Sequence, residues 1–157
     1  MVKIVTGKIN TYKSTKLKKH YEDHLLGDGF IAKKNMQGKL VHSYDLVKLS
    51  TNKSLPYIIR DKFYDGSSTL AFKIGPYCFL KSGLDYLENE IDKMIEEGCS
   101  PIYIDEISLL ELNEKGLYKI FKRLLALDID LCIVVREDLL EKVLEKFSIE
   151  KYEIIGD

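Results

Sequence analysis

The chain has 157 residues, 45% of them hydrophobic and 31% charged, with a formal net charge of -1; such a composition suits one globular domain with one sizeable core. The near-neutral balance gives no electrostatic reason to expect nucleic acid or an acidic membrane as partner. No apolar run approaches the ~18–20 residues of a spanning helix, and the opening residues lack the pattern of a secretory signal.

Val2, Ile4 and Val5 make a short apolar strand of the kind buried in a parallel sheet. A loop follows, and a helix is expected from about Lys13, with Leu17, Tyr21, His24 and Leu25 at helical spacing and Gly27 and Gly29 ending it. Phe30 to Lys34 and Lys39 to Leu49 read as two strands around a turn at residues 35–38. Leu70 to Ile74 and Tyr77 to Leu80 read as two more around Gly75-Pro76. The stretch from about 30 to 80 is therefore expected to be an antiparallel β insertion in an α/β core. Ser82 is placed to cap a helix from about Gly83 to Glu97 that stops at Gly98. Pro101 to Ile104 is an apolar strand ending in Asp105-Glu106. A helix around Leu117 to Leu125, a strand from Leu131 to Val135, a helix around Leu139 to Phe147 and a strand from Tyr152 to Ile155 complete the chain. Strands alternating with helices predict a single α/β domain, with a mostly parallel sheet and helices on both faces.

Two stretches carry chemistry. Gly7, Lys13 and Ser14 match the spacing of the phosphate-binding pattern G-x-x-x-x-G-K-[ST], but Tyr12 stands where the second glycine belongs. A loop running from Gly7 through Lys8, Ile9, Asn10, Thr11 and Tyr12 to a helix start at Lys13, Ser14 and Thr15 offers backbone N–H groups and a helix dipole to an anion. Lys13 would reach the β- and γ-phosphates of a triphosphate, Ser14 would bind Mg²⁺ and Thr15 would support the loop. Asp105 and Glu106 follow an apolar strand, where ligands bind in parallel sheets. Asp105 is a candidate for the Mg²⁺ shell, Glu106 for orienting and activating the attacking water.

Of the three arginines, Arg136 follows a core strand and could face the ligand. Arg123 is expected on a helix surface, and Arg60 could act only if the β insertion folds over the site. His20 and His24 lie one helical turn apart but lack the H-E-x-x-H pattern, so a solvated or core-edge pair is favoured over a metal site. The lysines from 13 to 19 fit a charged helix face as well as an RNA contact. Asn52-Lys53-Ser54-Leu55 lacks the aspartate of a guanine-reading segment. Cys78, Cys99 and Cys132 fit buried thiols in a reducing cytoplasm better than a disulfide framework or a zinc site.

Together these stretches resemble the small P-loop nucleoside-triphosphatases of the cancer-related type. The matching residues are Ile4-Val5-Thr6-Gly7 with Lys13-Ser14-Thr15, Gly29-Phe30, Tyr44-Asp45-Leu46-Val47, Ile74-Gly75-Pro76-Tyr77 and, most specifically, Ile104-Asp105-Glu106-Ile107-Ser108-Leu109-Leu110-Glu111-Leu112. The resemblance implies a three-layer P-loop fold and Mg²⁺-dependent hydrolysis of ATP or another nucleoside triphosphate to the diphosphate, with broad base tolerance. It implies the same roles for Lys13, Ser14, Asp105 and Glu106. Departures fall at the active loop, where the family is rich in glycine at the positions of Asn10 and Tyr12. Ser108 stands for a glycine, and Lys33 and Lys34 lie where the family tends to place an arginine. A left-handed backbone at Tyr12 would cost ~1–2 kcal/mol, so the free loop is expected to relax away from it. The leading expectation is a weak or slow nucleoside-triphosphatase. A non-catalytic P-loop-derived binding protein is the alternative, and a nucleotide or RNA kinase-like phosphotransferase a distant third.

Overall fold

In a computed structural model, residues 1–9 and 11–156 are described; Asn10, one of the predicted loop residues, lies outside them. The strands are β1 (Val2–Gly7), β2 (Asp28–Gln37), β3 (Leu40–Lys48), β4 (Ser54–Arg60), β5 (Leu70–Ile74), β6 (Tyr77–Leu80), β7 (Ile102–Ile104), β8 (Leu131–Arg136) and β9 (Tyr152–Ile154). The helices are α1 (Lys13–His24), α2 (Lys81–Glu96), α3 (Leu109–Leu112), α4 (Tyr118–Ala126) and α5 (Leu140–Lys146). All nine strands form one sheet in the order β5-β6-β4-β3-β2-β7-β8-β1-β9.

Two halves meet at β2. From β2 through β7, β8 and β1 to β9 every pairing is parallel; from β2 through β3, β4 and β6 to β5 every pairing is antiparallel. The sheet is therefore mixed, and the stretch expected as an insertion is a continuation of the same sheet. β2 belongs to both halves because its first residues, Asp28 to Phe30, pair with Ile102 to Ile104 and its later ones with β3 alone. β4 escapes the sequence pattern because Pro56 interrupts it. The proline is tolerated at a register shift opposite Asp45, before β6 pairing begins at Ile58.

Side chains of the parallel strands alternate between two cores. Ile4, Ile102, Ile104, Ile133 and Val135 face the larger one, covered by Leu87 and Ile91 of α2, Phe121 and Leu124 of α4 and Val143 of α5. Val5, Tyr103, Cys132 and Val134 face the smaller one, under Leu17 of α1. Burial on both faces explains why these strands read as continuous apolar runs. Helix ends differ in two places from the sequence expectation. α2 begins at Lys81 after Leu80, so Ser82 lies inside it and makes no cap. α1 stops at His24 because Leu25 turns left-handed (φ 52°) and returns its N–H to the Tyr21 carbonyl.

Candidate active site

The strand order sets the site's geography. The loop leaves β1, the acidic pair leaves β7, and β8 lies between them. All three strands run parallel, so their carboxyl ends share one edge. Gly7 and Arg136 are register partners at that edge.

Within the loop, a Cβ on Gly7 would meet Thr11 Oγ1 at 2.7 Å, so a side chain there would displace the Thr11 hydroxyl. Thr11 Oγ1 and Lys13 Nζ both donate to the Lys8 carbonyl, each at 2.6 Å. Lys8 and Ile9 are exposed, as is Thr15 in the first turn of α1. Tyr12 is the residue before α1, at φ 60° and ψ 33°, and its ring is 79% exposed. The expectation of a loop relaxed away from the left-handed region is thus not met at this position. The ring avoids its neighbours by pointing to solvent, and the backbone keeps the conformation a glycine would take freely.

Across β8, Ser14 Oγ donates to Asp105 Oδ2 at 2.6 Å, and the Ala32 N–H donates to the same oxygen at 2.8 Å. Burial pushes the Asp105 carboxyl up to about 6, against the opposing pull of those two hydrogen bonds. Glu106 is exposed and, like Tyr12, holds a left-handed backbone (φ 62°) without being glycine. Strain of this kind persists where surrounding structure over-determines it. Here Ile107 N–H donates to the Val134 carbonyl at 2.8 Å and its side chain is fully buried. Ser108 and Glu111 then form a capping box at the start of α3.

Glu111 is the residue whose weight the sequence did not signal beyond its place in the family segment. It is 3% exposed. Its Oε1 accepts Ser108 N–H at 2.8 Å and its Oε2 accepts Leu117 N–H at 3.0 Å. Burial holds its carboxyl above the ordinary range. A Cβ at Gly116 would reach Glu111 Oε2 at 2.3 Å, so glycine makes room for this carboxylate.

The remaining candidates separate. Arg136 reaches the edge, but Asp138 takes its guanidinium in a fork of 2.7 and 2.8 Å. Arg123 pairs with Asp92 on the helix surface. Arg60 donates to the Val41 carbonyl and to Tyr77 Oη. His20 Nδ1 shares a hydrogen with Tyr103 Oη at 2.9 Å and its ring stacks on His24, a core-edge pair as expected. Lys33 and Lys34 are exposed on β2, beyond its pairing with β7.

Ser14 and Asp105 together offer hard oxygen donors already in contact. That donor set fits Mg²⁺, which takes one or two protein oxygens and completes its octahedron with phosphate and water.

A family model described as NTPase matches residues 3–155. Two solved structures are similar in fold. The human cancer-related nucleoside triphosphatase has a TM-score of 0.68 at 17% identity, covering 98% of this chain and 86% of that one. THEP1 from the hyperthermophile Aquifex aeolicus has a TM-score of 0.62 at 17% identity, covering 99% of this chain and 89% of that one. No curated protein matches the chain. With the family model spanning nearly its whole length, the chain belongs to the NTPase family.

Proposed function

We propose that this NTPase-family protein hydrolyses nucleoside triphosphates, ATP among them, to diphosphate and phosphate, slowly and with Mg²⁺. The observation that carries the reading is the 2.6 Å contact between Ser14 Oγ and Asp105 Oδ2, made by residues 91 positions apart in the chain. Mg²⁺, when bound, would neutralise charge on the β- and γ-phosphate oxygens. Ser14 and Asp105 would hold it. Backbone N–H groups from Lys8 to Ser14 would surround the phosphates at the start of α1. Lys13 would swing from the Lys8 carbonyl to the phosphates, a rearrangement that favours slow turnover. Glu106 would orient water and take its proton. Arg136 would contribute only by leaving Asp138. The three free thiols suit a cytoplasmic setting.

Calorimetric titration with a non-hydrolysable triphosphate, with and without Mg²⁺, tests the reading. Mg²⁺-dependent binding that Lys13→Ala weakens is the expected result. No binding under either condition leaves the non-catalytic alternative, which the Lys13–Lys8 and Arg136–Asp138 contacts favour.

A further inference from the structure

Hydrolysis needs only a water beside Glu106, yet the fold leaves a cavity of about 210 Å³ there. Phe30, Tyr44, Tyr57, Tyr77 and Phe79 give it aromatic walls, and Asp105 and Glu106 line it as well. An engineered cavity of about 150 Å³ holds benzene, so this space suits one ring with a short substituent and is too small for a nucleotide. None of its lining residues is cationic, and Glu111 adds a third carboxyl group. An anionic ligand would be desolvated without a partner there, and the Asp105 and Glu111 carboxyl groups are already engaged by Ser14, Ala32, Ser108 and Leu117, so the aromatic walls favour an uncharged ligand. The walls are held in place. Arg60 Nη2 donates to Tyr77 Oη at 3.3 Å, its Cζ lies 5.2 Å from the centre of that ring, and Tyr44 meets Tyr77 edge-on at 5.9 Å.

Strand order gives the cavity its orientation. The loop is on β1, the acidic pair two strands away on β7, and the aromatic walls further out on β2, β3, β4 and β6. In the proposed site Lys13 would hold the β- and γ-phosphates, and Ser14 and Asp105 would act on them through Mg²⁺. The terminal phosphoryl group would then point toward the cavity and the nucleoside away from it.

We infer that the cavity holds a small neutral aromatic alcohol as a phosphoryl acceptor, so that the protein transfers phosphate to carbon-bound hydroxyl as well as to water. The inference rests on the triphosphate site proposed above. In the transfer, the acceptor oxygen bonds to the γ-phosphorus and the bond from that phosphorus to the β–γ bridging oxygen breaks. The electron pair leaves with the diphosphate, and the acceptor's proton passes to the Glu106 carboxylate.

The test uses the full chain with γ-labelled ATP and Mg²⁺, with and without pyridoxine or benzyl alcohol. Label in inorganic phosphate and in organic phosphate is separated in each reaction. Label should appear in the phosphate ester of at least one probe. Transfer should fall about tenfold in Ile58→Trp, which fills the cavity, and in Tyr44→Ala, which removes a wall; KM for the probe should rise and KM for ATP should not. Label found only in inorganic phosphate overturns the acceptor site while hydrolysis stands. If no label leaves ATP in any reaction, both readings fail. Transfer undiminished in both variants places the acceptor elsewhere and overturns the assignment.

Discussion

The two segments that meet at the carboxyl edge of the parallel strands are built in opposite ways. Residues 105–111 are fixed from several directions: Asp105 by Ser14 and Ala32, Ile107 by Val134, Ser108 by Glu111 and Glu111 by Leu117. Among the described loop residues, Thr11 and Lys13 converge on the Lys8 carbonyl of the same loop, and Ser14, in the first turn of α1, bonds across to Asp105. Both segments carry a left-handed non-glycine residue, Glu106 in one and Tyr12 in the other. The first is locked by its neighbours. The second is exposed, and among the described residues none stacks on its ring to repay the strain. A strained residue in a locked segment keeps its geometry when ligand arrives. In a self-bonded loop, the same strain weighs on the folded protein before any ligand arrives.

The contrast can be broken most forcefully at Glu106. If the locked segment holds the base, Glu106→Gln should lower phosphate release by ~10²–10⁴-fold and leave triphosphate affinity near the parent value. Steady-state release and calorimetry on the same preparation separate the two; unchanged release removes Glu106 from the chemistry.

Glu111 tests the locking itself. Glu111→Ala leaves the Ser108 and Leu117 N–H groups without their acceptor. At ~1–3 kcal/mol for each unsatisfied buried group, the loss should be about 4 kcal/mol in denaturant unfolding. A loss under ~1 kcal/mol, the ordinary surface effect, would mean the segment is held by packing alone.

Asp105 adds a pH signature in metal-free protein. Its carboxyl binds a proton near pH 6 in the fold and near pH 3.8 outside it. Its contribution is therefore fully present below about pH 4 and is lost as pH rises through about 6. Asp105→Asn does not titrate. Relative to the parent, its stability should improve by ~2 kcal/mol between pH 4 and 7, measured by unfolding at each pH with chelator present. A parallel pair of pH profiles would contradict the burial assigned to this group.

Tyr12 gives the smallest effect and sharpens the comparison most. Because its backbone is already left-handed before ligand binds, removing the strain acts on folding. Tyr12→Gly should stabilise the fold by ~1 kcal/mol, the left-handed penalty less the entropy cost of glycine. Triphosphate affinity should change by less than about threefold, or ~0.7 kcal/mol. A tenfold gain in affinity without added stability would place the strain in the bound loop.

Much of this was legible in residue order. β1, the glycine–lysine–serine spacing and the Asp105-Glu106 pair after an apolar strand are local patterns with a chemical reason. The contact between Ser14 and Asp105 followed from parallel strands sharing one edge. What could not be read depends on pairing across long distances. Pro56 hid β4 because its tolerance depends on a register shift in β3. The antiparallel half reads as an insertion until β2 is seen pairing on both sides. Tyr44, Tyr57 and Tyr77 line one cavity only because three strands bring them together. Tyr12 misled for a different reason: local energetics favour relaxation, and the turn into α1 overrides them.

The single strand between β1 and β7 has a consequence for how such a protein can diverge. Neighbouring strands lie ~4.8 Å apart, so β8 works as a ruler that sets the ends of β1 and β7 about 10 Å apart along the sheet, a gap that Ser14 closes by its contact with Asp105. Substitutions in the loop alter its bonds and its strain, but the spacing of the two strand ends stays with the backbone of β8. Loop chemistry can therefore drift a long way, even to a tyrosine at the glycine position, while the spacing of the strand ends remains the same.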